Sequence, residues 1–435
     1  SPRRITTEAS LLGNPLAQSL VRQSYSGWTR LDGMRTVEGS NLSRTSHGLK
    51  MPPRTRDAER RVMERDVCST NGDSGPKIEK VQVSAYTIPT AGPESDGTLE
   101  WDRTTLVLVD VSAGGQHGIG YTYADVSTAW FVKQNLAPVV EGRDAMHIAD
   151  AWWAMMRSVR NLGHPGVASM AIAAVDTALW DVKARLLDLP LVSLLGRVRT
   201  AVPVYGSGGF TSYSIDRLEE QLGGWVRDGI SRVKMKVGRQ PDQDLRRVEA
   251  VRKTIGEEAQ LFVDANGGYG RKQALQLSEG FAKAGVVWFE EPVSSDDTEG
   301  LRLLRDRVPA PIQVTAGEYG YDLFYFRRLL DAEAVDVLQA DASRCGGITG
   351  FLKVGSLCEA RPVPLSAHCA PSLHVHPGCA SMPVCHIEYF YDHVRIEQLL
   401  FDGTLRPVGG ALYPDLSRPG IGLDFKYQDA RRYQV

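Results

Sequence analysis

After Gly196, short apolar runs alternate with amphipathic stretches, and this rhythm limits the chain's fold more than any other feature. VPVYGSGG precedes IDRLEEQLGGWVRDG, RVKMKVG precedes QDLRRVEAVRKTIG, LFVDANGG precedes RKQALQLSEGFAKAG, and VVWFEEP precedes DTEGLRLLRDRV. IQVTAGE, VDVLQADASRCGG, VPLSAHCAP and CHIEYF supply four further runs. A short run apolar on both faces suits a strand covered from two sides, and a stretch with one charged and one apolar face suits the helix that covers it. Eight such units predict a (β/α)8-type barrel. The competing arrangement, an open doubly wound sheet, would carry a GxGxxG turn after its first strand, and none follows it here.

The chain divides by texture. Residues 77–196 read as an α+β domain: KIEKVQVSAYTI, TTLVLVDVSA and GGQHGIGYTY predict an antiparallel meander. Helices are expected around DAMHIADAWWAMMRSV and SMAIAAVDTALWDVKARLL, the second apolar on nearly every side and therefore buried. Between the first two strands, Thr87 to Arg103 has the Gly/Pro/Ser texture of a loop. The barrel is expected over residues 197–390, with residues 391–435 packing back on the N-terminal domain. Residues 1–76, rich in Arg, Ser and Thr, read as a disordered extension, because they bury too little apolar surface to offset the entropy of ordering. Glu8, Asp32, Glu38 and Asp57 argue against a transit peptide there.

Bulk properties narrow the partners. A net charge of −2 over 435 residues gives no basic field for nucleic acid. No apolar run reaches the length of a membrane span, so neither a membrane nor a nucleic acid is an expected partner. The six cysteines form no CxxC pair and no dense framework, as expected of reduced thiols in a cytoplasmic protein. A small molecule is the expected ligand.

In a barrel of this type the chemistry sits at the C-terminal ends of the strands. The second strand carries Lys234 and Lys236, which share a face because side chains two apart point the same way. They are either two surface lysines on a solvated edge or two ammonium groups crowded in one space, where repulsion favours losing a proton and yields a base. The next three strands end at or near Asp264, Glu290 and Glu318, and converging carboxylates suit a hard divalent cation such as Mg²⁺. Glu291 is the nearest rival ligand. The sixth strand ends in Asp341 and the seventh in His368, a carboxylate placed to orient an imidazole. Glu388 ends the eighth and, if protonated, could donate to a developing oxyanion. His374 and His376 could serve as polyol contacts or lie on a helix surface.

Taken together, VKMKVG, VDANGGY, WFEEP, TAGE, DVLQADASRCGGITG and LSAHCAP resemble the enolase superfamily, mandelate racemase subgroup, over about residues 77–430. The resemblance implies an N-terminal capping domain over the barrel and a polar cap loop at Thr87 to Arg103. It implies Lys236 as base with Lys234 beside it, Mg²⁺ on Asp264, Glu290 and Glu318, a His368–Asp341 dyad, and Glu388 as electrophile. Muconate cycloisomerase relatives place a lysine where this chain has Asp341, which argues against that subgroup. The implied step is removal of the proton α to a carboxylate, followed by loss of a β-hydroxyl from a sugar acid. The alternative is racemisation or epimerisation of a 2-hydroxy acid. A homo-oligomer is expected on the same ground.

Overall fold

The computed structural model describes residues 75–435, so the extension expected over residues 1–76 lies outside the described residues except for its last two positions. Three antiparallel strands come first: β1 (Ile78–Ser95), β2 (Glu100–Ala113) and β3 (Gln116–Tyr123), in that spatial order. Thr87 to Arg103 is not the loop its composition suggests. β1 and β2 run on as a long hairpin, with a register shift between Pro89 and Glu94 and a turn only at residues 96–99. The prolines are tolerated because β1 is an edge strand, where a missing N–H costs no ladder bond. Asp96 closes the turn, its Oδ1 accepting from the backbone N–H of Thr98 (2.7 Å) and Leu99 (2.6 Å).

The helix Val167–Leu186 is buried along most of its length, as its sequence predicts, because it lies between the three-stranded sheet and the barrel. On the sheet side Asp181 accepts from the Ile119 N–H at 2.8 Å. On the barrel side Asp176 accepts from the Thr349 N–H (2.9 Å) and hydroxyl (2.7 Å), and burial pushes its pKa up to about 7.

Eight parallel strands follow: β4 (Val202–Gly208), β5 (Arg232–Lys236), β6 (Gln260–Asp264), β7 (Val286–Glu290), β8 (Gln313–Ala316), β9 (Val337–Ala340), β10 (Leu365–Ala367) and β11 (Val384–Phe390). Each pairs with the next and β11 pairs with β4, so the sheet closes into the expected barrel. Tyr205, Phe262, Trp288 and His386 fill its interior, with the Phe262 and Trp288 rings stacked at 4.9 Å between centroids. The C-terminal segment returns to the first sheet: the Val435 N–H donates to Ala85 O (3.1 Å) and the Tyr427 hydroxyl to Asp110 Oδ2 (2.8 Å). Among the described residues no helix is long and apolar enough to cross a membrane.

Candidate active site

Strand register assembles the acidic cluster. Lys236 pairs with Asp264 and Asp264 with Glu290, so consecutive strand ends stand level. Glu318 sits two residues past β8, reached through Gly317 (φ 138°), where a Cβ would lie 2.1 Å from Gln339 O. Asp264, Glu290 and Glu318 are buried, and one oxygen from each lies within 4.8 Å of the other two. Burial, then the charge of Asp264, pushes Glu290 up to about 8. Among the described residues Glu318 Oε2 is buried without a hydrogen-bond partner. Three convergent carboxylates, one with an oxygen that no hydrogen bond satisfies among the described residues, fit a hard divalent cation, and these three residues would hold it.

Both lysines are buried, which removes the solvated-edge reading. The expected loss of a proton is also corrected. Lys234 Nζ stands 2.6 Å from Glu290 Oε1, 2.8 Å from Glu388 Oε1 and 3.4 Å from Asp264 Oδ2. Lys236 Nζ stands 2.5 Å from Asp264 Oδ2. Burial alone would lower both pKa values, and Lys234 lowers that of Lys236, yet the surrounding carboxylates outweigh these effects and hold both amines protonated.

On the opposite flank His368 Nδ1 bonds Asp341 Oδ2 at 2.9 Å, and Nε2 stands 3.3 Å from Glu318 Oε2. Burial works against the imidazolium, but Glu318, Glu388 and Asp341 carry the His368 pKa above its usual value. Asp341 is itself held well below the carboxylate range: burial opposes this, and the bond from His368 overrides it.

Glu388 ends β11 at the centre of the cluster but is not the neutral carboxyl expected of an oxyanion donor. Its Oε1 accepts from the Ser207 hydroxyl (2.6 Å) and Lys234, and its Oε2 from the Cys369 N–H (2.9 Å). Despite burial, Lys234 and then His368 hold it as an anion. His374 and His376 are neither polyol contacts nor on a helix surface, since both are buried. His374 Nε2 accepts from the Ala342 N–H (2.8 Å) while Nδ1 lies 3.0 Å from the Cys369 and Ala370 carbonyls, which fixes a neutral imidazole behind the dyad. His376 Nδ1 accepts from the Val192 N–H at 3.1 Å.

Sequence reasoning misses Arg344, Cys369 and His393. Arg344 lies 3.7 Å from both Glu318 Oε1 and Asp341 Oδ2, and its position three residues after Asp341 is the signal that could have found it. Cys369, next to His368, puts Sγ 3.2 Å from Nε2. The His393 ring stacks on Tyr123 of β3 at 3.4 Å, a contact no local pattern encodes. Glu291 is buried at positive φ (37°), with Oε1 making no hydrogen bond among the described residues.

The β1–β2 turn closes over this mouth. Ser95 Oγ lies 2.6 Å from Thr211 Oγ1, and the Thr211 hydroxyl donates to Asp96 O at 2.8 Å. At Gly97 a Cβ would lie 2.1 Å from Ala265 O, so only glycine allows the two backbones to approach so closely. The cavity at this mouth, about 380 Å³, takes Lys236, Glu318, His368 and Glu388 from the barrel side and Trp101 and Arg103 from β2.

Residues 217–430 match the family described as "Enolase C-terminal domain-like", and residues 81–196 match "Mandelate racemase / muconate lactonizing enzyme, N-terminal domain". An L-talarate/galactarate dehydratase of Salmonella typhimurium is 30% identical over 84% of this chain and 92% of its own length. A crystal structure of a mandelate racemase/muconate lactonizing enzyme-like protein from Rubrobacter xylanophilus is 56% identical, covers 83% of this chain and 100% of its own, and has a TM-score of 0.81. An L-talarate dehydratase from Polaromonas sp. JS666, complexed with Mg and L-glucarate, is 31% identical over 83% of this chain and 98% of its own, with a TM-score of 0.76. With both of its regions matched and the barrel-mouth residues in place, the chain belongs to the enolase superfamily, in its mandelate racemase subgroup.

Proposed function

We propose that this enzyme is a Mg²⁺-dependent acid-sugar dehydratase: it removes the proton α to the carboxylate of a sugar acid and expels the β-hydroxyl as water. One observation carries the reading. Two proton-transfer groups bracket the carboxylate trio, Lys236 against Asp264 and His368 against Glu318, and both face one cavity. The dehydratase relatives and the magnesium complex support the reaction and the metal.

When bound to Asp264, Glu290 and Glu318, the cation supplies Lewis acidity for the charge that develops on the substrate carboxylate. Lys236 acts as base in the fraction that has lost its proton, a fraction that the neighbouring Lys234 charge enlarges. Lys234, fixed between Glu290 and Glu388, offers its charge to the substrate carboxylate. His368, held protonated and oriented by Asp341, delivers a proton to the departing hydroxyl. Glu388 contributes by fixing Lys234 and the Cys369 backbone.

In this reading residues 77–196 cap the site, residues 197–390 build it and residues 391–435 brace the cap. It also carries a cytoplasmic location, which suits the five free cysteines among the described residues, and self-association, for which exposed Trp130, Trp153 and Phe324 offer apolar surface. The same pair of flanking groups favours one second reading, racemisation or epimerisation, in which one group takes the α-proton and the other returns it to the opposite face. The test is a screen of mono- and diacid sugars with Mg²⁺, followed by proton NMR in D₂O. Accumulation of 2-keto-3-deoxy acids is expected. Epimers without keto product would favour the second reading, and no α-proton exchange across the library would overturn both.

A further inference from the structure

Beyond β10 the chain takes two consecutive left-handed residues, Cys369 (φ 53°) and Ala370 (φ 36°). This turn brings Cys369 Sγ to 3.2 Å from His368 Nε2, and the same nitrogen stands 3.6 Å from Glu388 Oε2. One donor atom from each of the three buried side chains falls within 4.8 Å of the other two. This set differs in kind from the all-oxygen trio of Asp264, Glu290 and Glu318. A thiolate, an imidazole and a carboxylate together select zinc and similar soft dications over magnesium.

The spacing suits a tetrahedral ion. Bonds of about 2.0–2.3 Å place tetrahedral ligand atoms roughly 3.3–3.7 Å apart, close to the two separations observed here. The surrounding contacts also orient the ligands. His368 Nδ1 is bonded to Asp341, the carboxylate–histidine arrangement that commonly supports a metal-bound imidazole. Glu388 Oε1 is occupied by Lys234 and Ser207, and Oε2, which accepts from the Cys369 N–H at 2.9 Å, keeps its second lone pair for the ion. All three residues line the cavity, so an ion can enter and a fourth position can take water or substrate.

We propose that His368, Cys369 and Glu388 form a second cation site, for a thiophilic dication such as Zn²⁺, whose filling withdraws the dyad imidazole from proton transfer and switches the enzyme off. On binding, the Cys369 S–H bond and the His368 Nε2–H bond both break, their two protons pass to solvent, and the lone pairs left on sulfur and nitrogen bond to the ion, with no change of oxidation state. The geometry stands whichever α-proton reaction the enzyme performs.

Co²⁺ tests the site directly, because a cobalt–thiolate bond gives an intense near-ultraviolet charge-transfer band. In full-length protein saturated with Mg²⁺, Co²⁺ should produce that band, and Zn²⁺ should abolish it. Cys369→Ser and Cys369→Ala should each lose the band and bind Zn²⁺ more weakly by about tenfold or more. Zn²⁺ should also suppress α-proton exchange in the wild type at saturating Mg²⁺, and much less in either variant, each measured against its own zinc-free rate. No thiolate band in the wild type, or an undiminished band in both variants, would overturn the proposal. So would Zn²⁺ bound with the thiolate signature but without loss of turnover.

Discussion

The lysine flank and the histidine flank of the mouth are held by different contacts. On the lysine flank, short ion pairs of 2.5 to 2.8 Å bind Lys234 and Lys236 to Asp264, Glu290 and Glu388. On the histidine flank one tight contact, His368 to Asp341 at 2.9 Å, is surrounded by looser ones: 3.3 Å to Glu318, 3.6 Å to Glu388, and 3.7 Å from Arg344 to both Glu318 and Asp341. Buried ion pairs resist rearrangement because separating them exposes uncompensated charge. The lysine flank therefore holds a fixed charge pattern, whereas the histidine flank holds its reacting nitrogen Nε2 only through longer contacts, to Cys369, Glu318 and Glu388, that a ligand can displace.

Breaking each flank in turn should give the largest effects. Lys236→Ala and His368→Asn should each lower dehydration by about 10²–10⁴-fold, yet one of the two should still exchange the substrate α-proton with deuterium, read by proton NMR. The survivor identifies the flank that enolisation does not need. If both variants dehydrated at wild-type rates, the flanks would be structural.

Next comes the ion pattern on the lysine flank. Glu290→Gln should weaken Mg²⁺ binding by at least about tenfold and remove turnover, whereas Glu291→Gln, the matched control, should leave Mg²⁺ affinity nearly unchanged in calorimetry. Equal losses in both would move the ligand assignment, and full activity after chelator treatment would remove the metal.

The histidine flank's single tight contact gives a smaller effect. A hydrogen bond to a charged group contributes about 1.5–3 kcal/mol, so Asp341→Asn should cost roughly ten- to hundredfold in kcat, with KM changing little. A change confined to KM would show that Asp341 positions substrate rather than the imidazole. Smallest is the shared lid. Gly97→Ala places a methyl against Ala265 O and should strain the closed turn by about 1 kcal/mol, raising KM by roughly fivefold on both flanks alike. A selective effect on either half-reaction would show that the turn reaches one flank only.

Much of this architecture is legible in the amino-acid sequence. The eight runs predict the barrel because parallel strands buried on both faces leave a pattern that few other folds share, and residues at their ends can be named because the barrel fixes where its chemistry sits. What cannot be read there are quantities set by neighbours distant along the chain. Lys234 and Lys236 suggest mutual repulsion when viewed along one strand, but their protonation is decided by carboxylates on β6, β7 and β11. Glu388 is ionised for the same reason. The β1–β2 hairpin is hidden because Pro and Gly mark loops and edge strands alike. His374 looks available because its burial is a tertiary fact; the helix that carries it, Pro371–Ala380, is buried at nine of its ten positions.

That inert histidine has a consequence for isotopes. Behind Asp341 stands His374, 3.9 Å away, with both its nitrogens committed to backbone groups, while Asp341 Oδ1 accepts from the Ser343 N–H. Among the described residues this side of the dyad offers no imidazole free to relay a proton into the protein interior. The proton that His368 gives to a departing hydroxyl is therefore replaced through the cavity, where the Cys369 thiol touches the ring. In D₂O, label should reach the His368 ring from the cavity side alone, so the slowing of its arrival when substrate fills the cavity measures how well the bound molecule shields the ring from water.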